Sequence, residues 1–380
     1  MPGGGRGRRR VKAIPWLPHS RAAINNWLGK KLAKLKKDSP EKFSMMKKYF
    51  PAYEDVTKEM QHLAHINLKK ALADLSLHAS VAKLVVAIAT DSTICMFFHN
   101  MYLQQSENPP EGGIWVATWQ DAVLLINQCV NEAPEFDEDV PIPVPMNAIL
   151  NVPMSTSAGH AAFLNDKVNA IFKDILNEWG HFLLSKYSCD VLDDQPNHWF
   201  SPKALEAMPD FVDTYVCDPD AKHYGYTSFD DFFVRKLKPG ARPVEDEDKS
   251  VVVAACEAAP LRISRNVKSY DSFWIKDQNY SMEFLLNKNP LATAFYNGTV
   301  YQGFLSPTTY HRLHSPVKGY IYDIEMVDGT YFSQPYFKDE DLLLSGVQPY
   351  MAHTATRCIY WIKADNPGYW IDVFLRSWHV

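Results

Sequence analysis

Two histidines stand three residues apart, beside an arginine, in Tyr310-His311-Arg312-Leu313-His314-Ser315-Pro316. Histidine is the side chain whose ordinary pKa lies closest to neutrality, so a close pair can divide the giving and taking of a proton. Whether both rings reach one reacting centre depends on the backbone. At this spacing they face opposite sides of a strand and the same side of a helical turn. Ser306-Pro307 before the run and Ser315-Pro316 after it bound a turn or short strand able to bring both rings toward one cleft. Two other readings stand beside this one. One or both rings can be satisfied structural histidines, or the pair can ligate zinc. Zinc needs a third ligand and usually the helical HExxH spacing, which the chain lacks, so no metal is expected.

The elements that must position this run change character along the chain. From about Ala22 to Leu184 apolar residues recur at three- and four-residue steps. Ile24, Trp27, Leu28, Leu32 and Leu35 form one stripe, and Val168, Ile171, Phe172, Ile175, Leu176 and Trp179 form another within Asp166–Leu184. That period predicts amphipathic helices. Asn67–Ala87, rich in Ala and Leu, and Trp119–Cys129 read the same way. Asn108–Gly113 and the four prolines of Pro134–Pro145 break the pattern. Ser201-Pro202 opens a short helix, with the proline in its first turn. Within Tyr224–Pro243, Phe229, Phe232 and Phe233 fit one apolar helix face that Pro239-Gly240 ends. Arg235 and Arg242 are candidate contacts to a carboxylate or phosphate, and Arg242 reads equally as a plain surface charge.

From Val251 on, short β-branched and aromatic runs alternate with turns: Val251–Ala255, Leu261–Ser264, Thr299–Leu305, Gly319–Val327, Tyr331–Gln334 and Thr356–Ala364. Asp328-Gly329 between two of them predicts a hairpin. The fold class is therefore α+β, a helical N-terminal region followed by a mainly antiparallel β domain. The expected division is a basic tail over 1–20, a helical domain over 21–200 and a β-rich domain over 201–380.

With 380 residues, 46% of them hydrophobic, the chain can bury a sizeable core. Its net charge of −5 is unevenly spread, since residues 1–50 hold fourteen Lys/Arg against two acids. Met1–Arg10 is Gly/Arg low-complexity sequence without interleaved aromatics, which reads as a solvated tail and not as a nucleic-acid surface. Weak peripheral contact with an anionic membrane is compatible with it. No apolar run approaches the ~18–20 residues needed to span a bilayer, and Val81–Thr90 stops at Asp91. Pro15 and Pro18 interrupt the place where a signal peptide or amphipathic presequence would run. Six cysteines without a CxxC pair argue against a zinc knuckle or a disulfide-stapled secreted domain. The expectation is reduced thiols and a cytoplasmic location, ahead of a mitochondrial one.

Three segments in order, Tyr224–Pro243, Ala255-Cys256-Glu257 and Tyr310–Pro316, together resemble the phosphatidylserine decarboxylase family, in its soluble fungal branch of aromatic amino-acid decarboxylases. The likeness extends through Phe273–Lys276, Gly303–Ser306, Asp328–Tyr331 and Lys363–Pro367. In the helical part it includes Ala133–Phe136, Pro145–Leu150 and Ala161–Asn165, so it covers about residues 115–367. The resemblance implies that His311 and His314 jointly serve as base and decarboxylation assistant. It also implies that Glu257, standing where the family has Asp, is the acid that holds and charges a histidine. A carboxylate in water at a β edge is the competing reading of Glu257.

The resemblance further implies a pyruvoyl cofactor, made when a C-terminal Gly-Ser bond breaks itself, and a substrate carrying a primary amine, either phosphatidylserine or an aromatic L-amino acid. The chain contains no Gly-Ser dipeptide. Ser377 follows Arg376, and a threonine after Gly298 or Gly329 would leave a ketobutyryl group instead. The expectation is a catalytic domain lacking its C-terminal part and inactive as written. A non-catalytic paralogue with a binding role is the alternative, and an unrelated histidine chemistry such as hydrolysis is a third.

Overall fold

The computed structural model describes residues 21–107, 116–137, 144–243, 248, 251–272, 279–334, 350, 354–366 and 370–375. The basic tail over 1–20, the Asn108–Gly113 loop, the Phe273–Lys276 run and Ser377 lie outside them.

The helical region opens with α1 (Arg21–Asp38), α2 (Pro40–Tyr49), α3 (Val56–His65), α4 (Leu68–Leu75) and α5 (Ala79–Thr90). It continues with α6 (Ser92–Glu107), α7 (Trp119–Cys129), α8 (Pro145–Met154), α9 (Ser157–Leu164) and α10 (Asp166–Leu183). Side-chain caps set several starts. Asp55 accepts from the Thr57 amide, Asn67 from Lys70, Thr118 from Asp121, and Asn165 from Lys167 and Val168. The stripes expected from periodicity are buried, Ile24 to Leu35 in α1 and Val168 to Trp179 in α10. Asn67–Ala87 is not one helix. Ser76 takes the left-handed conformation at φ 49° and ends α4, and α5 begins at Ala79. Among the described residues no single helix is long and apolar enough to cross a membrane; α5 and α6 bend by 100° at Asp91.

Short helices α11 (Pro202–Ala207), α12 (Phe211–Thr214) and α13 (Phe229–Phe233) follow. One apolar core runs from Ile24 through Phe232 and also takes in Tyr310 and Phe332 from the C-terminal part. Helix α13 ends at Phe233, well before Pro239-Gly240. The chain then runs back along residues 214–216, with Val216 N–H on Lys236 O (2.8 Å) and Lys238 N–H on Thr214 O (2.9 Å). The sequence expected a longer helix here. Phe232 stops it by dropping into an aromatic nest with Trp199, Phe200, Phe211 and Tyr226.

The strands are β1 (Ala259–Arg265), β2 (Tyr270–Ser272), β3 (Asn279–Ser281), β4 (Thr299–Phe304), β5 (Gly319–Val327), β6 (Arg357–Ala364) and β7 (Trp370–Leu375), with helix α14 (Met282–Leu285) after β3. Among the described residues they form three small antiparallel sheets, β1-β4, β2-β3 and β5-β6-β7. The α+β class and its order hold. Strand β5 is a sheet edge, and Tyr320, Ile321, Tyr322, Ile324 and Met326 on it are each at least half exposed.

Two strand expectations fail. Val251–Ala255 is extended but pairs with the histidine run through single hydrogen bonds, not a ladder. Asp328-Gly329 does not turn a hairpin into 331–334. Thr330 bridges in parallel to Ala355, and a Cβ on Gly329 would collide with the backbone of 354–356. Residues 331–334 are pulled the other way, into the helical core. Phe332 packs against Phe172 (5.1 Å between centroids) and Phe163 (6.1 Å). Asn169 donates to Gly329 O (2.8 Å) and accepts from Tyr331 N–H (3.1 Å).

Candidate functional site

The histidine run is neither helix nor strand, so every polar backbone group in it needs a partner of its own. Ser306 starts it. This fully buried residue folds a tight turn in which its carbonyl accepts from the Thr309 amide (3.0 Å) and hydroxyl (2.8 Å). Its hydroxyl accepts from the Thr308 amide at 3.3 Å. The same carbonyl faces the His311 ring, Nε2 to O 2.8 Å. A carbonyl can only accept, so Nε2 carries the hydrogen, and in the neutral ring Nδ1 is the basic nitrogen.

Arg235 holds the next two carbonyls. Its guanidinium donates to Thr308 O (2.7 Å) and Thr309 O (2.6 Å) while lying over the Tyr215 ring at 4.4 Å and the Phe232 ring at 5.2 Å. Only 1% of the residue is exposed. Burial pushes its pKa below arginine's ordinary value, and Tyr215 pushes in the opposite direction. Arg235 is thus too deeply buried to contact a substrate carboxylate or phosphate; its Nη2 is spent on the loop and its Nη1 donates to Phe232 O (3.4 Å). The aromatic residues before it were the available signal, because a guanidinium stacks on such rings when desolvated.

Glu257 takes the following amide. Its carboxylate accepts from Tyr310 N–H (3.1 Å) and forms an ion pair with Arg242 Nε. The acid therefore grips the histidine run through backbone, and Arg242 is its partner and not a lone surface charge. Ala255 O accepts from His314 N–H (2.8 Å), and Pro316 O from Val253 N–H (2.8 Å). Arg312 donates to Val234 O (2.7 Å). Residues 232–235 and 253–257 so clamp the run from two sides, although tens of residues separate them in sequence.

His314 is exposed, and its Nε2 meets the Tyr310 hydroxyl at 2.9 Å with the rings 5.4 Å apart. Tyr310 itself is 4% exposed and stacks toward Tyr215. Burial raises its phenol above the ordinary value. The sequence reading passed over Tyr310 as a ring partner. His311 packs against Phe233, with centroids 3.9 Å apart. Phe233 also lines a cavity of about 420 Å³ between α10 and α13. All six cysteines are free, Cys256 included, and burial raises its thiol.

Family comparisons agree with this arrangement. Two family models, both described as phosphatidylserine decarboxylase, match residues 78–208 and 229–370. The first falls on the helical region, and the second holds Arg235, Glu257, His311 and His314. The chain is 39% identical over 280 residues to the decarboxylase iboD of Amanita muscaria, covering 66% of this chain and 80% of that one. It is 37% identical over 264 residues to an L-tryptophan decarboxylase of Psilocybe cyanescens, covering 63% and 60%. A phosphatidylserine decarboxylase proenzyme of Fusobacterium nucleatum is 34% identical over 135 residues, 35% of this chain and 44% of that one. On the strength of these matches and of the clamped histidine run within them, the chain belongs to the phosphatidylserine decarboxylase family.

Proposed function

We propose that this chain carries the proton-handling half of a decarboxylase, with His311, His314 and Glu257 serving loss of CO2 from a substrate that bears a primary amine. The substrate is an aromatic L-amino acid, as the similarity to the Psilocybe L-tryptophan decarboxylase suggests, or phosphatidylserine, as that to the Fusobacterium proenzyme does. One observation carries the reading. A single irregular loop presents both imidazoles, and Arg235 and Glu257 from neighbouring segments hold its Thr308 and Thr309 carbonyls and its Tyr310 amide. Such fixing is what precise proton transfer requires. In this proposal the Ser306 carbonyl sets the His311 tautomer so that Nδ1 takes up the proton. The Tyr310 hydroxyl orients His314, and Glu257 holds the loop at the Tyr310 amide.

The residues present do not fit the pyruvoyl group that serves the family. That group is made from a serine following a glycine, and no such pair exists in the chain. The serines at the site follow other residues and have occupied hydroxyls. Ser306, after Leu305, pairs with Thr308, and Ser315, after His314, donates to Val317 O (2.7 Å). No step is therefore derived through it. The pairing of Glu257 with Arg242 favours a second reading, a family member that binds an amine-bearing small molecule without turning it over.

A fusion of this chain to a Gly-Ser-bearing C-terminal segment from a family member tests the first reading. The fusion is expected to cleave itself and release CO2 from L-tryptophan or phosphatidylserine, and His311→Ala and His314→Ala each to lower that rate by at least about a hundredfold. A cleaved fusion inert toward both substrates, or active with both histidines removed, overturns it.

A further inference from the structure

The cavity between α10 and α13 has a composition that the histidine run does not explain. Its volume, about 420 Å³, falls within the roughly 300–1,000 Å³ of small-molecule sites. Trp179, Phe229 and Phe233 give it aromatic walls, and Leu176 and Leu183 line the same space. Gly180 also lines it, near the end of α10. A glycine inside a helix weakens it relative to alanine; here it leaves α10 without a side chain where the helix faces the cavity.

The charge in this space is negative. Asp230 is the one carboxylate among the described lining residues, and among the described residues its side chain has no hydrogen-bond donor. Burial and then the neighbouring Asp231 raise its carboxyl above the ordinary value, against an opposing pull from Arg312. Arg312 is engaged by Val234 O, and Asp231 accepts from Thr227. The last turns of α10, from Leu176 to Leu183, add the negative end of the helix dipole. His181 stands exposed at the rim.

We infer that this cavity is a binding site for an aromatic group carrying a primary ammonium, an arylalkylamine, with the ring against Trp179, Phe229 and Phe233 and the ammonium on Asp230. Aromatic faces favour both a flat ring and a cation. A carboxylate on the same carbon as the amine would be pushed away by Asp230. The site therefore prefers the amine to the corresponding amino acid, which makes it a place where the amine product of a decarboxylation is retained. Phe233 is the wall it shares with His311. This inference concerns binding alone and does not depend on the chain being catalytically competent.

Calorimetric titration of the full chain with tryptamine, L-tryptophan and indole-3-propionate tests it. Tryptamine is expected to bind at least about tenfold more tightly than either acid-bearing compound, and Asp230→Asn to weaken it about tenfold. Gly180→Leu, which fills the cavity and improves helix propensity, is expected to abolish binding while the melting temperature is kept. Absence of tryptamine binding overturns the inference. So do equal affinity for indole-3-propionate or L-tryptophan, and binding unchanged in both variants. None of these results bears on CO2 release by the fusion, so the two readings fail separately.

Discussion

Replacing Arg235 with alanine is expected to lower the unfolding free energy by about 3–5 kcal/mol, more than any change at the histidines themselves. Two effects add. The half-buried carbonyls of Thr308 and Thr309 lose their donor, and each orphaned acceptor costs up to about 1–3 kcal/mol, the full figure applying only where water cannot replace the donor. The guanidinium also fills the space between the rings of Tyr215, Phe232 and Phe211, so truncation leaves a cavity. Relief of a buried charge returns part of this, which keeps the estimate near the lower end of the simple sum. Arg235→Met restores the volume without the donors and should recover under half. Arg235→Lys should do little better, because one ammonium cannot reproduce a planar fork on two carbonyls. Urea unfolding measures the loss. Hydrogen exchange should quicken at 308–312 while α5–α10 keep their protection. An Arg235→Ala chain as stable as the parent would remove the guanidinium as the loop's anchor.

Phe332→Ala is expected to cost about 3–5 kcal/mol as a large-to-small change in a packed core. Phe332 is 2% exposed and touches the Phe163 and Phe172 rings, so it belongs to the helical core although it lies beyond β5 in sequence. Its loss should also loosen the join between the helical core and residues 329–334, leaving there the Asn169 bonds to Gly329 and Tyr331 and the His160 contact with Gln334 O. Denaturant unfolding would then broaden or split, with a smaller slope in each phase. Phe332→Leu should recover more than half of the stability. A single sharp transition with an unchanged midpoint in Phe332→Ala would show that the halves do not rest on this ring.

The helices were legible because burial imposes a period. Val168, Ile171, Phe172, Ile175, Leu176 and Trp179 lie on one stripe in sequence and on one buried face in space. Strands β1, β4, β5 and β6 were legible from β-branched runs bounded by turns. The failures share a cause, which is that long-range contacts outweighed local signals. Asp328-Gly329 has hairpin chemistry, but Phe332 gains more in the helical core. The 229–233 helix stops because Phe232 belongs to an aromatic nest and Arg235 belongs to the histidine run. The histidine pair stood out by its spacing, whereas Glu257 could be picked out only through the resemblance. What joins Glu257 to the histidine run is a hydrogen bond to the Tyr310 amide between segments far apart in sequence, and side-chain patterns do not encode it. Tyr310 and Ser306 were missed as ring partners for the same reason.

The proposal centres on a chain that carries His311 and His314 as its proton-handling pair but has no Gly-Ser bond from which a pyruvoyl group could form. Intact mass after treatment with a carbonyl reagent such as phenylhydrazine tests it most directly. The account predicts one polypeptide of 43.4 kDa that takes up no reagent. Two fragments, the C-terminal one gaining a hydrazone at its first residue, would contradict it.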